Sequence, residues 1–360
     1  MKNIKDIISN NLENITILKQ LANSHRYLGE LKGLAKTMPN ESIIVNSLSL
    51  QEAQDSSEIE NIITTQDEIY KQQIYSFENN IAAKEVNNYA NAINYLYQME
   101  RKDNIITINH IVKAQKIIKN NNAGIRKQIG TNLKNTKTGQ IIYTPPHPDE
   151  INDLLKDLEY FINDDNYLNS SGLDPLIKMA IIHHQFESIH PFYDGNGRIG
   201  RIINIIYLIN KKLLDTPILY LSRYINHNKE KYYSLLQRVR DDNVWNEWIL
   251  YILKAIEVTA KSTLELVINI KNLQQNYKEK IRNDLGKIYS QDLINNIFKH
   301  PYTKAKFLEQ DINLSRATAT RYLDQLTEAK ILQKEKLGKE NYYFNVALIN
   351  ILKNNKNLKD

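Results

Sequence analysis

The chain contains no cysteine among its 360 residues. This absence excludes a disulfide framework, a thiolate metal site and a cysteine nucleophile, and it is typical of proteins from a reducing compartment. Glycine and proline are also scarce, with 11 and 8 residues, while isoleucine, leucine, asparagine and lysine are abundant. Such a composition favours long helices joined by few turns.

Long apolar runs are missing as well. The most apolar stretch, residues 202–214, is interrupted by two asparagines and two lysines, and the first residues, MKNIKDIISNN, lack the apolar segment of a secretory signal. Because a membrane-spanning helix needs about 20 mostly apolar residues, we expect no membrane segment and a cytoplasmic protein. The net charge of +6 divides into 47 basic and 41 acidic residues, a balance that does not by itself indicate a nucleic-acid partner.

The hydrophobic pattern predicts a mainly α-helical fold of two or three packed units. Several helices are expected in residues 1–110, where apolar side chains recur at helical spacing, beginning with Ile4, Ile7, Ile8, Leu12 and Ile15. Asp174 and Pro175 have the pattern of an N-cap and a first helical residue, and this helix should run to about Ile189. Trp245 and Trp248 are the expected core anchors of a later helix.

Two segments depart from the helical pattern. Between Gly130 and Pro148, threonine, isoleucine and tyrosine flank Lys137, Thr138 and Gly139, and a double proline follows, which predicts a short β-hairpin. In residues 288–352, three short helical patterns precede two alternating strands around Gly338. This order predicts a C-terminal winged helix-turn-helix.

The predicted winged helix allows a first interpretation of the function, a DNA-binding regulator. Its longest helix, Ser315–Ala329, would be the recognition helix and carries Arg316 and Arg321. Acidic side chains are interspersed among these bases, and winged helices also serve for docking and dimerisation. Binding to DNA through this module is therefore one alternative among several.

The strongest chemical pattern is the segment HPFYDGNGRIGR, residues 190–201. Its glycines allow positive φ angles, and a helix is expected to begin near Arg198, so that free amide groups and Arg198 and Arg201 would form a cradle for a polyphosphate. Asp194 offers the oxygen ligand that Mg²⁺ prefers, and His190 can take a proton from an incoming hydroxyl. An ordinary polar connector between two helices is the bland alternative, but so many demanding positions in one window argue against it.

This segment resembles the motif HxFx(D/E)GNGRxxR of the Fic family, and the surrounding sequence is similar to that family over residues 40–260. The resemblance implies transfer of AMP from ATP to a serine, threonine or tyrosine of a protein, with His190 as base and Asp194 holding Mg²⁺ on the α- and β-phosphates. The implied regions are 1–110, helical with an inhibitory helix; 111–280, the catalytic core; and 288–352, the winged helix. The implied nucleotide-binding residues are Gly195, Asn196, Gly197, Arg198, Ile199, Gly200, Arg201, Tyr232 and Tyr233.

Within the family resemblance, the glycine after Asp194 disfavours a kinase-like variant. The predicted hairpin resembles the flap on which relatives dock the backbone of their target, here Ile141, Ile142, Tyr143 and Thr144. A plain structural hairpin remains the alternative for these residues. For the adjacent tyrosines 232 and 233, placed on the adenine side by the resemblance, the alternative is an ordinary core pair.

Residues 56–61, SSEIEN, resemble the inhibitory motif (S/T)xxxE(G/N), with Ser56, Glu60 and Asn61 at the defining positions. Glu58 is a rival carboxylate without the serine spacing, and a solvated helix face is the bland alternative. A carboxylate at Glu60 could pair with Arg201 and compete with the γ-phosphate of ATP. The nucleotide preference, removal of AMP, the target protein and a homodimer stay open at this level.

Overall fold

A computed structural model describes residues 3–8, 12–38, 40–65, 68–69, 80–134, 138–170, 172–338 and 340–354. Its helices are α1 Ile4–Ile8, α2 Ile15–Ala35, α3 Ser42–Ile59, α4 Ile81–Asp103, α5 Ile108–Lys119, α6 Pro148–Asn163, α7 Pro175–Ile189, α8 Asn196–Asn210, α9 Ser222–His227, α10 Lys229–Asp242, α11 Trp245–Asp284, α12 Gln291–Lys299, α13 Ala305–Ile312, α14 Arg316–Glu328 and α15 Val346–Asn354. Its strands are β1 Leu133–Lys134, β2 Ile141–Tyr143, β3 Tyr302–Thr303, β4 Gln333–Leu337 and β5 Glu340–Phe344. The prediction of a mainly helical fold is confirmed.

The chain divides into two compact units, one of residues 1–29 and 49–260 and the other of residues 30–48 and 261–360. The three regions expected from the sequence stay a prediction. Helices α7 and α8 form the centre of the first unit, and nearly every residue in both helices is buried. Trp248 is fully buried and donates its indole N–H to the carbonyl of Ala180 in α7 at 2.8 Å. The core therefore encloses the two helices that the HPFYDGNGRIGR segment joins.

Side-chain caps explain several helix boundaries. Asp174 accepts a hydrogen bond from the backbone of Leu176 at 2.8 Å, and Pro175 is the first residue of α7, as the sequence predicts. Helix α7 ends at Ile189, also as predicted. Thr107 caps α5 through the backbone of His110 at 3.2 Å in the same way.

The N-terminal apolar pattern is interrupted, which the periodicity did not indicate. Ile4, Ile7 and Leu12 are buried, whereas the side chain of Ile15 is 71% exposed. Asn14 accepts hydrogen bonds from the backbone of residues 16 and 17 and starts α2 in a new register. The expectation that Ile15 continues the apolar face of the preceding residues is therefore wrong.

The predicted hairpin is present as β1 and β2. The strands pair antiparallel, with Leu133 opposite Tyr143 and Lys134 opposite Ile141. Lys137, one of the expected turn residues, lies outside the described residues, while Gly139 has a φ of +71° that favours glycine. The hairpin thus occupies the place in the chain that the sequence indicates.

After α11, the described part of the second unit contains four helices, α12 to α15, and a small sheet. The strand order is β3-β5-β4, all antiparallel, and α14 buries Ala319, Leu323 and Leu326 on one face. Ser315 caps α14 through the backbone of Thr318 at 3.3 Å. This arrangement is compatible with the predicted winged helix-turn-helix.

The described helices include none with the combination of length and apolar character that crossing a membrane requires.

Candidate functional site

The HPFYDGNGRIGR segment forms the connection between α7 and α8. His190 caps the end of α7 with a φ of +49°, and Gly195 precedes α8 with a φ of +86°. The amide of Asn196 clamps the turn, because it accepts from the backbone N–H of Phe192 and donates to its carbonyl, both at 2.8 Å. Helix α8 begins at Asn196, two residues before Arg198, near which a helix start was expected, and its first helical hydrogen bond runs from the N–H of Ile199 to the carbonyl of Gly195.

The start of α8 offers amide donors to an anion. The N–H groups of residues 196–198 precede the first helical hydrogen bond, and in the described part of the chain they have no acceptor. A helix N-terminus also carries partial positive charge. Ile199 and the backbone of Gly200 instead face the core, so of the predicted nucleotide-binding set these two contribute packing.

Arg201 is enclosed by the segment that resembles the inhibitory motif. Its side chain is only 2% exposed and donates to the hydroxyl of Ser56 at 2.8 Å, to the carbonyl of Ser56 at 3.0 Å and to the Glu60 carboxylate at 2.9 Å. Burial acts to lower the pKa of Arg201, but the charge of Glu60 and the neighbouring tyrosines together outweigh it and the pKa is raised. The structure thus brings Ser56 and Glu60, the residues of the (S/T)xxxE(G/N) pattern, together with Arg201, the partner expected for Glu60.

The backbone conformation of Asn61 explains why the last position of the (S/T)xxxE(G/N) pattern is glycine or asparagine. Helix α3 ends at Ile59, and Asn61 has a φ of +62°, a left-handed conformation that glycine and asparagine adopt most easily. The turn lets Glu60 point back toward Arg201. Glu58 is exposed on α3.

The helix that carries Ser56 is fixed by a buried carboxyl one turn earlier. Glu52 accepts hydrogen bonds from the hydroxyl of Tyr89 at 3.0 Å and from the hydroxyl and backbone N–H of Ser222. Burial raises the pKa of Glu52 to about 7, with the Ser222 hydroxyl and the charge of Arg201 acting in the opposite direction. Asp55, on the same helix, pairs with Arg223 at 3.0 Å.

Gly197 leaves room for the contact between Glu60 and Arg201. A Cβ at this position would lie 2.4 Å from Oε1 of Glu60 and 3.0 Å from the Arg201 guanidinium. Either neighbour would have to move to admit any other side chain. The glycine is therefore required by the close approach of these two groups.

Asp194 belongs to a cluster of four charges. Its carboxylate receives Lys119 at 2.7 Å and Arg198 at 3.1 Å, and Glu85 bonds the same two cations. Burial acts to raise the pKa of Asp194, but the Lys119 hydrogen bond and the Arg198 charge outweigh it and the pKa is lowered. Asp194 is ionised at neutral pH, and its side chain is 59% exposed.

His190 lies at the edge of this site with an enclosed ring nitrogen. Nδ1 is buried and has no hydrogen-bonding partner within the described residues. Burial lowers the pKa of His190 to about 4, and the charges of Arg126 and Arg240 act in the same direction. The imidazole is therefore neutral at pH 7.

Glu187 is a buried carboxyl next to the site that the sequence analysis did not single out. Its Oε1 has no hydrogen-bonding partner among the described residues and would lie 2.9 Å from a Cβ at Gly200. Burial raises the pKa of Glu187 to about 7, the charge of Glu60 acts in the same direction, and Arg201 and Arg240 oppose them.

The predicted flap residues differ in their surroundings. The side chains of Ile141 and Ile142 are 51% and 46% exposed. Tyr143 turns inward and donates its hydroxyl to the carbonyl of Ser188 at 2.9 Å, while the hydroxyl of Thr144 donates to Asn132 at 2.7 Å. Within strand β2, the exposed side chains are thus the two apolar isoleucines.

The tyrosine pair of α10 also divides. Tyr232 is 1% exposed, hydrogen-bonds Nε2 of His183 at 2.8 Å and packs against Trp248. The side chain of Tyr233 is 44% exposed. Partial burial raises the pKa of its hydroxyl, with the charge of Glu60 acting in the same direction and that of Arg201 opposing it. Tyr233 has the surface available for a nucleotide, whereas the Tyr232 side chain serves the core.

Three family models match the chain. The model described as Fic/DOC family N-terminal matches residues 18–98, the model described as Fic/DOC family matches residues 105–208, and the C-terminal domain model of SoFic-like protein adenylyltransferases matches residues 273–348. The second range contains the whole HPFYDGNGRIGR segment. The first contains Ser56, Glu60 and Asn61.

Relatives and solved structures agree with these matches. A probable protein adenylyltransferase of Aquifex aeolicus is 29% identical over 169 residues, 46% of this chain and 47% of that relative, so the match spans about half of its length. A protein adenylyltransferase of Caenorhabditis elegans is 37% identical over 67 residues, 18% of this chain and 13% of that relative. A solved Fic family protein from Desulfovibrio desulfuricans has the same fold, with a TM-score of 0.56, 20% identity and coverage of 92% of this chain and 96% of that chain.

Proposed function

This chain belongs to the Fic/DOC family, and we propose that it is a protein adenylyltransferase, which transfers AMP from ATP to a serine, threonine or tyrosine hydroxyl of a protein. The observation that carries the proposal is the joint placement of a neutral histidine and the open N-terminus of α8 on one short connection. Relatives named as protein adenylyltransferases support it.

The phosphates would bind where α8 begins. The free N–H groups of residues 196–198 are suited to phosphate oxygens, and Arg198 and Arg201 supply positive charge next to them. Phosphoryl-type displacements depend mainly on alignment and charge neutralisation, both of which a fixed helix end provides. Tyr233 would contact the adenine side, as the family resemblance implies.

His190 would act as the base. Since Nδ1 is enclosed, the lone pair that can receive a proton is on Nε2. The hydroxyl proton of the target moves to this nitrogen, the hydroxyl oxygen bonds the α-phosphorus, and the bond from that phosphorus to the bridging oxygen breaks, releasing pyrophosphate. A pKa near 4 is low for this task, and the negative charge of a bound triphosphate would raise it toward the working range.

Magnesium fits this site as a partner of the nucleotide. No group of three metal-binding side chains is found among the residues the structure describes, and the carboxylate proposed to hold the ion is that of Asp194. One exposed carboxylate together with substrate phosphates is an ordinary donor set for Mg²⁺, and the bound ion would neutralise charge on the α- and β-phosphates. Because Lys119 already occupies Asp194, we expect the ion to bind only with ATP.

We further propose that Glu60 holds the resting protein inactive. Its carboxylate occupies a donor of Arg201 that the γ-phosphate would otherwise use, so ATP would bind out of alignment with His190. The surroundings of Arg201 support this, since Ser56 and Glu60 accept hydrogen bonds from its Nε and Nη2 donors. The target protein would dock along the exposed isoleucines of β2.

The test uses Glu60→Ala with Glu58→Ala as its matched control, because Glu58 is an exposed carboxylate only two residues earlier, near the end of helix α3. Each variant is incubated with Mg²⁺ and ATP labelled on either the α- or the γ-phosphate, and self-modification is followed by intact-protein mass spectrometry. We expect Glu60→Ala alone to gain α-label and the mass of AMP, and His190→Ala in that background to gain neither. Transfer of γ-label would instead identify a kinase, and transfer of another nucleotide from a mixture would correct the choice of ATP.

A further inference from the structure

Two arginines tie the hairpin to the end of helix α7, and sequence reasoning indicated neither. Arg126 is 2% exposed, donates through Nε to the carbonyl of His190 at 2.8 Å, and donates through Nη2 to the carbonyl of Pro146 at 2.6 Å. The same guanidinium therefore bonds the residue proposed as the base and the segment that follows β2.

The other end of the connection is made by Arg240. Its guanidinium lies 3.9 Å from the centre of the Tyr143 ring and donates to the hydroxyl of Ser188 at 3.1 Å and to the carbonyl of Glu187 at 3.4 Å. Tyr143 completes the contact through its own hydrogen bond to Ser188 at 2.9 Å. Strand β2 is thus held at Tyr143 and just beyond it at Pro146.

These bonds bear directly on the geometry of His190. A histidine with a φ of +49° is in a left-handed conformation that a residue with a side chain adopts at a cost, so its backbone needs support. That support comes from Arg126, whose backbone N–H also donates to the carbonyl of Pro191 at 2.9 Å. Moving the hairpin would therefore pull on the backbone that aims the imidazole.

We propose that Arg126 and Arg240 are positioning residues that fix the distance between strand β2 and His190, and so place the hydroxyl of a docked target at the base. This inference rests on the proposed function, because it assumes that β2 receives the target. The hairpin is short, and within the described residues β2 pairs with β1 along one edge only, so its own hydrogen bonds give the hairpin little rigidity. The two arginines supply the fixed reference that the two-stranded sheet lacks.

Charge and geometry can be separated at Arg126. In the Glu60→Ala background, Arg126→Lys keeps the positive charge but cannot bond both carbonyls, because an ammonium has no fork. Arg126→Met removes charge and bonds together. Arg238→Met is the matched control, since Arg238 lies on the same helix as Arg240 and pairs on the surface with Glu247 at 2.7 Å.

We expect both Arg126 variants to lower the rate of self-labelling at least tenfold while the affinity for an uncleavable ATP analogue changes less than twofold. Arg126→Met should also shift the acid limb of the rate profile to higher pH, since a charge that depresses the pKa of His190 is lost, and Arg126→Lys should leave that limb in place. Arg240→Lys should lower the rate in the same way, and Arg238→Met should change neither quantity. Full activity of Arg126→Lys, or an equal loss of nucleotide affinity, would overturn the proposal.

Amide hydrogen exchange of residues 141–143 tests the same connection without any transfer. We expect exchange there to be at least tenfold faster in Arg126→Lys than in the parent, with exchange in α7 unchanged. If Glu60→Ala labels nothing, the proposed function has failed and this measurement alone judges the arginines. Unchanged exchange would refute their role whether or not AMP is transferred.

Discussion

The contact between Glu60 and Arg201 predicts that the two common adenine nucleotides respond differently to its removal. Arg201 is 2% exposed and Glu60 32% exposed, with 2.9 Å between the paired atoms. Under the proposed inhibition, the γ-phosphate must displace Glu60 from Arg201 in wild type, whereas in Glu60→Ala the guanidinium has lost that competitor. ADP has no γ-phosphate and should not be sensitive to the change.

The size of the effect follows from burial. Breaking a fully buried pair by removing one partner costs about 3–5 kcal/mol, and an exposed pair contributes about 0–1 kcal/mol. With Glu60 one-third exposed and Ser56 still bonded to the arginine, about 1–2 kcal/mol is the consistent value. Since about 1.4 kcal/mol corresponds to tenfold in affinity, the uncleavable ATP analogue should bind roughly 5- to 30-fold more tightly to Glu60→Ala.

Isothermal calorimetry with Mg²⁺ measures both affinities on the same preparations, with Glu58→Ala as control. ADP should bind the two variants and wild type within a factor of about two. Equal tightening for ADP and the ATP analogue would mean that Glu60 obstructs the site in general and does not compete for the γ-phosphate contact. No tightening for either would refute the competition.

Three further predictions use other parts of the first and second units. Glu187→Gln should stabilise the protein relative to wild type more at pH 8 than at pH 5. The reason is that a carboxyl with a folded pKa of about 7 contributes stability below its ordinary pKa of 4.5, and this contribution is lost as the pH rises to about 7. A pH-independent difference in melting temperature would contradict this. Tyr232→Phe should cost about 1 kcal/mol of folding stability and leave ATP affinity unchanged, whereas Tyr233→Ala should weaken ATP binding with little change in stability. Chemical denaturation measures the stability and calorimetry the ATP affinity of each variant. The reverse pattern would show that the adenine-side residue was misassigned. In a gel-shift titration we expect no retention of duplex DNA at about 150 mM salt, because Lys334 of the β4 strand pairs with Asp324 at 2.7 Å; a salt-dependent shift that Arg316→Ala abolishes would establish the regulator interpretation instead.

Short-range patterns predicted much of this molecule. A cap and a proline marked the start of α7, a cluster of turn residues marked the hairpin, and the spacing of Ser56 and Glu60 indicated a pair of side chains on one face. Each of these signals is local, so the residues that form the feature are also neighbours in the sequence.

The missed residues reach the site from distant parts of the chain. Glu85 lies 113 residues before its partner Arg198, and Arg126 lies 64 residues before His190. Only the packing of helices brings such pairs together, and a single arginine or glutamate outside any motif gives no signal of its own. Glu187 lies three residues before His190, and its carboxyl became a signal only once the burial of the side chain was known.

The left-handed backbone conformation of His190 lowers the stability of the fold, while the proposed chemistry needs a histidine at this position. Glycine or asparagine would adopt its φ of +49° with less strain. Replacing the histidine by either residue would also remove the buried imidazole nitrogen that has no hydrogen-bonding partner among the described residues. A library of variants sorted only for resistance to heat should therefore discard this histidine, while one sorted for modification of a target should retain it. Such opposite outcomes at one position would identify it as a site maintained by selection for activity at the expense of stability.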